Sequence, residues 1–379
     1  MTMPAITYRI FDNIEEIDRG DWDAVFGSVP EGYQFYRTLA DSGLSEFVFY
    51  YLAIYCDNRI ALIAPLFSAE FNLDIAAEGA ALKIVKSVRK IFKRFLVVKT
   101  LFCGCPFSEY GLIGIRNDFR GDTRLLDHLL KGIKELSLKV KSPLIIFKDF
   151  PQDSVFLLDV LKGRGFSRVE SFPGVCLDLE FSSFEEYLKS LGRSTRKGLN
   201  KKLRQAYSRG NIEVKLVHDV GGQIDRIFKL YENTYHNGST KFERLTGKFF
   251  LQISENLPEE THYFLYYVDG RLAAFNLCFR YKDLLIDKFI GFDYDISNYY
   301  NLYFVSWAHN VKWCIEQGLR YYHLGQTDYE PKIRLGGRLL PLYVYLRHGN
   351  IFFNLLLKFL VLLLKPDNFD EDIRRQKRC

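Results

Sequence analysis

The sequence lacks the features that place a chain across a membrane or in the secretory route. Its first residues, MTMPAITYRIF, contain no basic segment followed by an apolar one, so no signal peptide is predicted. No apolar run approaches the ~20 residues that a membrane-spanning helix needs. The longest run, IFFNLLLKFLVLLLK at 351–365, is interrupted by Asn354 and Lys358. The chain is therefore not expected to span a membrane, although this run can touch one.

Paired metal ligands are also lacking. Cys103 and Cys105 are spaced C-x-C, but no second Cys or His pair at ligand spacing follows them, so no metal site is predicted. The other cysteines inside apolar strand or helix patterns behave as small hydrophobic groups. They are Cys56, Cys176, Cys278 and Cys314. The odd total of seven cysteines, without a pairing pattern, favours a reducing, cytosolic compartment.

The bulk composition bounds the architecture. A chain of 379 residues is longer than one hydrophobic core usually supports, which predicts two domains. A hydrophobic content of 48% and an aromatic content of 16% exclude disorder as a class. The net charge of +6 favours an anionic partner such as a phosphate, a coenzyme or an anionic membrane surface, without choosing among them. The oligomeric state is not indicated.

Strand and helix patterns organise the first part of the chain. The runs at 47–56 and 59–71 flank an Asp-Asn turn and predict a β-hairpin. Helices are predicted at 123–140 and 154–166, with a strand at 144–150 between them.

The second part of the chain predicts a mixed sheet. Strands are expected at 174–181, 212–218, 261–268, 271–282, 284–292, 320–325 and 340–348, and helices at 193–209, 222–236, 246–256 and 302–317. Tight turns make three successive strands an antiparallel meander. A mixed sheet whose central strand feeds a helix leaves a cleft at the strand ends, where ligands collect. The predicted domains are 1–174, 175–349, and an apolar helix with a charged tail at 350–379.

Two segments carry basic residues and no acidic ones. The segment 81–96 has apolar residues at helical spacing, which fits adsorption on anionic lipid and equally a core-packed helix with solvated lysines. The segment 193–209 holds seven Lys or Arg and can attract tRNA or coenzyme phosphates. Its one aromatic residue is Tyr207, whereas a nucleic-acid stacking surface uses several. The apolar helix at 350–365 suits a membrane interface or an apolar groove.

A family resemblance enters with the segment that runs from DKFIGFD, through LYFVSWAHNVKWCIEQGLRYYHLGQTDYEPKIRLGG, to LYVYLRH. It resembles the C-terminal half of the Fem-type acyltransferases, and the bacterial GNAT-like proteins grouped with peptidoglycan- or lipid-modifying N-acyltransferases. The resemblance implies an α/β fold of two GNAT-like lobes and transfer of an acyl or aminoacyl group to an amine. It also implies a donor that is acyl-CoA or charged tRNA, with no permanently bound cofactor. Lys332 matches the motif lysine, and Gly336 or Gly337 matches its glycine.

The expected donor site departs from the pattern of enzymes that use acyl-CoA. Those enzymes place a glycine-rich turn between the third strand and its helix, where backbone amides receive the pyrophosphate. Here the connection at 291–301 reads GFDYDISNYYN and has a single glycine. The residues expected to contact the donor are Gly291, Asn298, Tyr300, Asn301, Arg334, Gly336 and Gly337.

Asp287 is the leading candidate for a catalytic base. It precedes Lys288 on a predicted strand, so the two side chains face opposite sides, and one that faces the interior needs a function or a partner. The alternative is an Asp287 that pairs with a basic residue of an outer helix. Lys332 and Arg334, in an irregular connection at 325–337, can stabilise negative charge, or they can be solvated loop charges.

Three further side chains are secondary catalytic candidates: His323, Tyr329 and Glu330. The sequence thus predicts an N-acyltransferase that moves an acyl group from acyl-CoA to the amine of a lipid or envelope precursor at the cytoplasmic face of the membrane. The alternatives are a Fem-type enzyme that uses charged tRNA and a non-catalytic peripheral membrane protein.

Overall fold

The computed structural model describes residues 5–72, 97–238, 244–360 and Ile373. They form two compact units, each built on one mixed sheet. The described residues of unit 1 are 5–28, 45–72, 97–173, 341–360 and Ile373, and those of unit 2 are 29–44, 174–238 and 244–340. The basic segment 81–96, and the tail beyond 360 except Ile373, lie outside the described residues. The predicted α/β class is confirmed.

The strands, in chain order, are β1 (Ile6–Phe11), β2 (Val48–Cys56), β3 (Arg59–Asn72), β4 (Val97–Cys103), β5 (Gly114–Ile115), β6 (Leu144–Pro151), β7 (Ser167–Glu170), β8 (Gly174–Asp178), β9 (Ile212–Val217), β10 (Thr261–Val268), β11 (Arg271–Tyr281), β12 (Leu284–Phe292), β13 (Tyr321–His323), β14 (Arg338–Leu340) and β15 (Leu342–His348). The α-helices are α1 (Arg19–Phe26), α2 (Tyr33–Asp41), α3 (Arg124–Lys139), α4 (Val155–Leu158), α5 (Phe184–Ser190), α6 (Arg193–Arg209), α7 (Ile224–Asn237), α8 (Gly247–Asn256), α9 (Tyr294–Ser297), α10 (Leu302–Glu316), α11 (Tyr329–Arg334) and α12 (Ile351–Leu360).

Unit 1 has the strand order β1-β2-β3-β4-β6-β15-β7, with β5 paired to β3. The predicted hairpin β2–β3 is confirmed, and its turn residues Asp57 and Asn58 have φ angles of 48° and 65°. Helix α3 packs on one face of the sheet through leucines and isoleucine at helical spacing. The predicted helix at 154–166 is only partly α-helical, since α4 passes into a 3-10 helix at Asp159–Arg164.

Unit 2 has the strand order β9-β10-β11-β12-β13-β8-β14. The predicted meander β10–β11–β12 is confirmed. Neighbouring residues of β11 face opposite sides of the sheet: Phe275 packs against Phe250 of α8, and Asn276 accepts a hydrogen bond from Asn310 of α10. Helices α8 and α10 therefore cover opposite faces of one sheet.

The chain passes from the first sheet to the second at β8 and returns to the first sheet at β15. After edge strand β7 of unit 1, the chain enters unit 2 as β8, and after edge strand β14 of unit 2 it returns as β15 between β6 and β7. The predicted contiguous domains were therefore wrong at two places: 341–349 belongs to unit 1, and 29–44 belongs to unit 2. Strand β15 satisfies its hydrogen bonds in the first sheet, which a local pattern does not reveal.

Both sheets follow one plan around a parallel pair. Strands β4 and β6 are parallel neighbours in unit 1, and β12 and β13 are parallel neighbours in unit 2. Each pair is linked by a crossover that contains a helix, α3 or α10. The carboxyl end of such a pair is where ligands bind in α/β sheets.

Candidate functional site

A buried polar network surrounds the carboxylate of Asp287 on the α10 face of the unit 2 sheet. Asn276 Nδ2 donates to Asp287 Oδ1 (2.5 Å), and Tyr322 OH donates to Asp287 Oδ2 (3.2 Å). Asn310 Nδ2 joins the two donors, because it donates to Asn276 Oδ1 and lies 2.9 Å from Tyr322 OH. Burial, followed by the Asp287 carboxylate, raises the pKa of the Tyr322 phenol, which keeps it protonated. Neutral donors thus hold a carboxylate that is only half-buried.

Asp287 marks the point where β12 leaves its parallel neighbour. The pairing of the two strands ends at Ile286 and His323, and β12 continues to Phe292 paired with β11. Asp287 is thus the first residue of β12 beyond that pairing. It lies at the carboxyl end of the parallel pair, where ligands bind in α/β sheets.

A β-bulge separates Asp287 from Lys288. The register of β11 and β12 shifts between Leu277 and Cys278, which makes Lys288 an extra residue in β12. The predicted opposite orientation is confirmed, because Lys288 Nζ lies 2.7 Å from Glu31 Oε1, away from the network, in a side chain that is 1% exposed.

The phenol of Tyr303 is a candidate group that sequence reasoning missed. Tyr303 lies in the first turn of α10, and its OH is buried with no hydrogen-bond partner among the described residues. Burial, followed by the carboxylates of Asp328, Asp287 and Glu330, raises its pKa. The group therefore stays protonated, and its O–H remains available for a bound molecule. The one available signal was a tyrosine near the start of the predicted helix at 302–317.

The connection at 325–337 is more regular than predicted, because α11 lies inside it. Lys332 Nζ donates to Leu324 O (2.5 Å), and Tyr329 OH donates to Gln326 O (2.6 Å). Both side chains are buried. Two of the predicted catalytic residues therefore brace this connection.

Glu330 and Arg334 lie on the exposed side of α11. Arg334 NH1 is 2.8 Å from Glu330 Oε1, and both side chains are about half exposed. Burial, and after it Arg334, lowers the pKa of Lys202 in α6, whereas Glu330 raises it. Lys202 Nζ also lies 3.4 Å from the ring centroid of Phe304 in α10. Lys202, which was not among the predicted site residues, thus joins this charged group.

The turn predicted to hold donor phosphates leads into the N-terminus of α10. Asn301 has a φ of 50°, and its Nδ2 lies 3.4 Å from Lys202 O. The amides of Leu302 and Tyr303 have no acceptor within the described part of the chain. Free amides at a helix N-terminus are suited to an anion.

Helix α6 has aromatic neighbours that its own sequence does not supply. Arg209 lies 4.4 Å from the ring centroid of Tyr299, and Tyr300 OH lies 3.4 Å from Asp269 Oδ2. Asn298, in the same turn, is exposed. The α6 cations form no ion pair with a carboxylate in the described residues. They are Arg193, Arg196, Lys197, Lys201, Lys202, Arg204 and Arg209.

His323 faces away from the Asp287 network. Neighbouring residues of a strand alternate between faces, and Tyr322 occupies the Asp287 side. The imidazole is 1% exposed, and the amide of Gly325 donates to its Nδ1 (3.2 Å). The structure therefore does not bring His323 together with Asp287.

The predicted donor-site glycines have packing roles. A Cβ on Gly291 would lie 2.3 Å from Phe275 Cε1 and would strike the backbone of α7. A Cβ on Gly337 would lie 2.6 Å from Val175 Cγ1, and Gly336 has a φ of 97° just after α11. These contacts account for glycine at all three positions without a ligand.

No group of three His, Cys, Asp or Glu side chains within the described ranges is arranged to hold a metal ion. In the same part of the chain, no helix has the length and apolar content needed to cross a bilayer. The described cysteines form no disulfide bond with one another and are buried.

Residues 193–332, which contain the network, match the family model described as acetyltransferase (GNAT) domain. This segment of the chain is therefore similar to the acetyltransferase (GNAT) domains. The match supports the predicted resemblance to GNAT-like acyltransferases over these residues.

Solved structures share the fold over most of the chain. FemX superposes with a TM-score of 0.55 at 14% identity and covers 89% of this chain and 96% of that chain. L-PGS from Bacillus licheniformis superposes with a TM-score of 0.53 at 9% identity, covering 89% of this chain and 98% of that one. At these identities the likeness shows the fold alone.

Two curated relatives come from Mycobacterium tuberculosis, strains CDC 1551 / Oshkosh and ATCC 25618 / H37Rv, and both are named "Putative 8-amino-7-oxononanoate synthase 2". Each is 26% identical over 325 residues, which is 84% of this chain and 42% of the relative. The chain thus spans about two fifths of the length of these relatives.

Proposed function

We propose that the protein is an N-acyltransferase that moves an acyl group from acyl-CoA to the amine of a lipid or cell-envelope precursor at the cytoplasmic face of the membrane. The observation that carries this proposal is the half-buried Asp287 carboxylate, held by neutral donors at the point where β12 and β13 part.

The reaction needs one proton acceptor and one oxyanion donor. The acceptor amine attacks the thioester carbonyl and its proton passes to Asp287, directly or through one water. The tetrahedral oxyanion accepts a hydrogen bond from Tyr303 OH, whose pKa is raised by burial and by nearby carboxylates. Collapse breaks the C–S bond and releases the CoA thiolate, leaving an amide.

The donor phosphates would lie at the N-terminus of α10, beside Asn301 and the free amides of Leu302 and Tyr303. Lys202 and Arg334 supply positive charge nearby. We assign Lys332 a positioning role, since its ammonium is bonded to the carbonyl of Leu324.

A thiol-release assay with purified protein tests this function. Acyl-CoAs of increasing chain length are paired with a phosphatidylethanolamine headgroup analogue or a soluble diamine. Amine-dependent CoA release that Asp287→Asn abolishes is expected. Two results with the wild-type protein would contradict the proposal. One is CoA release that does not require the amine, and the other is no CoA release with any of the acyl-CoAs.

Charged tRNA is the second candidate donor, and one observation favours it. Helix α6 presents seven Lys or Arg without carboxylate partners in the described residues, beside the aromatic rings of Tyr299 and Phe304. Affinity for tRNA that falls steeply with salt, together with aminoacyl transfer and no CoA release, would select this donor.

A further inference from the structure

Helix α12 in unit 1 reverses the usual pattern of a surface helix. Its apolar side chains point outward with large exposed fractions: Ile351 70%, Phe352 79%, Phe353 57%, Leu355 49%, Leu356 52% and Phe359 71%. Single exposed apolar residues are ordinary, but six on one ten-residue helix form a patch of the kind that marks an interaction surface.

The rotation of α12 is fixed by its one polar inward residue. The side chain of Asn354 accepts from the amide of His348 (2.9 Å) and donates to the carbonyl of Gly165 (3.0 Å). Leu357, one turn later, packs on the apolar cluster of the sheet. The N-terminus is capped by Asn350, whose Oδ1 accepts from the amide of Phe352 at 2.9 Å. The helix is thus held by polar bonds with its apolar side outward.

The width of the exposed arc indicates what covers it. At about 100° per residue, the six outward side chains span about 200° of the helix circumference. A protein partner that packs against one side of a helix covers a narrower stripe. A helix that lies in a lipid interface contacts lipid with its whole apolar face, and the exposed arc of α12 has a width suited to this contact.

The charges around α12 favour an anionic lipid surface. Residues 341–366 contain no Asp or Glu, whereas they contain Arg347, Lys358 and Lys365. Lys358 lies next to the inward side of the helix, where a long side chain can reach the headgroups while its stem stays among apolar groups. The two short helices that precede Gly165, to which Asn354 bonds, also expose Phe156 (98%) and Val160 (39%).

We infer that α12 is a docking helix that inserts its apolar arc into the interface of a bilayer that contains anionic phospholipid. The proposed reaction gives this docking a purpose, but the binding is independent of catalysis and can be tested without it. The helix lies flat on the membrane, with the Asn354 side toward the protein.

Co-sedimentation with vesicles tests the inference, using phosphatidylcholine alone and phosphatidylcholine mixed with phosphatidylglycerol. Wild-type protein is expected to bind the mixed vesicles. The double variant Phe352→Asp/Phe359→Asp should bind them at least roughly tenfold more weakly. The matched control is Leu138→Asp on α3, since Leu138 is 72% exposed in the same unit, and it should bind like wild type.

A second measurement keeps the inference falsifiable if the aspartate variant is poorly folded. A Phe352→Trp variant should gain fluorescence quenching on mixed vesicles that contain brominated lipid, beyond that of the natural tryptophans. No added quenching, equal binding of the double variant and wild type, or binding of neither vesicle type would overturn the inference. So would self-association that the double variant abolishes in the absence of vesicle binding.

Turnover of a soluble amine separates this inference from the proposed function. The double variant should retain wild-type turnover with the soluble acceptor and lose it only with a vesicle-bound acceptor. Loss of vesicle binding with unchanged soluble turnover supports the docking role of α12. Vesicle binding through α12 by a protein without any turnover would leave the inference standing and remove the proposed reaction.

Discussion

The carboxyl ends of the two parallel strand pairs differ, although the sheets share one plan. In unit 1, β4 stays paired with β6 up to its last residue, Cys103, and the following segment returns so that the Gly111 amide donates to Asp149 O at 2.8 Å. A Cβ on Gly111 would lie 2.2 Å from the carbonyl of Lys148. The chain itself fills the place where a ligand would lie.

In unit 2, the carboxylate of Asp287 lies at the carboxyl end of the parallel pair β12 and β13. β12 extends beyond its pairing with β13 from Asp287 onward. At the bulge, the side chain of Lys288 points away from the Asp287 network. The corresponding pair in unit 1, β3 and β4, keeps one register throughout. The shared plan of the two sheets therefore does not imply a site in each unit. The residues at the carboxyl end of each parallel pair have to be compared separately.

Replacing one aspartate in each unit by asparagine should give the largest difference in kcat between the units. The two residues are Asp287 in unit 2 and Asp149 in unit 1. Asp287→Asn removes the proton acceptor but keeps the side-chain shape, and we expect kcat to fall about 10²–10⁴-fold. Steady-state CoA release measures it.

Asp149→Asn in unit 1 is the matched change. Asp149 is 5% exposed and bonded to Lys148 and Ser171, so its loss should lower the free energy of unfolding by about 1–3 kcal/mol without changing the turnover of folded protein. Equal loss of turnover in both variants would mean that unit 1 also carries chemistry, and the contrast would fail.

The residue at the bulge, Lys288, forms a buried ion pair with Glu31. Lys288→Met leaves Glu31, which is 13% exposed, without its cation and should cost about 3–5 kcal/mol of unfolding free energy. The double variant Lys288→Met/Glu31→Gln should recover much of that cost in urea unfolding. Arg334→Met, which breaks an exposed pair with Glu330, should cost at most about 1 kcal/mol. Equal costs at the two sites would show that burial of the Lys288–Glu31 pair does not raise the cost of losing one partner.

Local sequence patterns predicted the turns and the bounds of helices. They did not predict which sheet a strand joins, because that depends on pairing with residues far away in the sequence. The turns at Asp57-Asn58 and Asp269-Gly270 follow from residues that tolerate positive φ, and α6 begins and ends where its basic run does. The return of β15 to the first sheet depends on hydrogen bonds to β6, about 200 residues away in sequence.

The site was predicted in part for the same reason. The alternation of a strand identified Asp287 and Lys288 as opposite-facing. The partners of these two residues, Glu31, Asn276 and Tyr322, come from other strands and helices. Tyr303 has no motif, and its significance lies in a phenol left without a partner in the described residues.

Acid should weaken unit 2 through a buried histidine. Burial, with a smaller effect of His218 and Arg280, lowers the pKa of His262 from 6.5 to about 4. The unfolded chain binds more protons between these values, so this contribution to stability is complete above pH 6.5 and is lost as the pH falls toward 4. The total is about 3 kcal/mol. Urea unfolding between pH 7 and 4 should show this slope in wild type and a flatter one in His262→Phe, with exposed His236→Ala as the control.

Tyr303→Phe tests the smallest expected difference, and it separates a chemical role from a structural one. Its OH has no partner in the described residues, so its removal should leave the free energy of unfolding unchanged within about 0.5 kcal/mol. If the OH donates to the oxyanion, kcat should fall about 10–100-fold while KM for acyl-CoA holds. Tyr322→Phe is the matched control, because it breaks bonds to Asp287 and Asn310 and should cost stability as well as rate. A Tyr303→Phe enzyme with full kcat would make the buried phenol a packing group. The oxyanion donor would then have to come from the bound acceptor or from the backbone of β12 beyond Asp287.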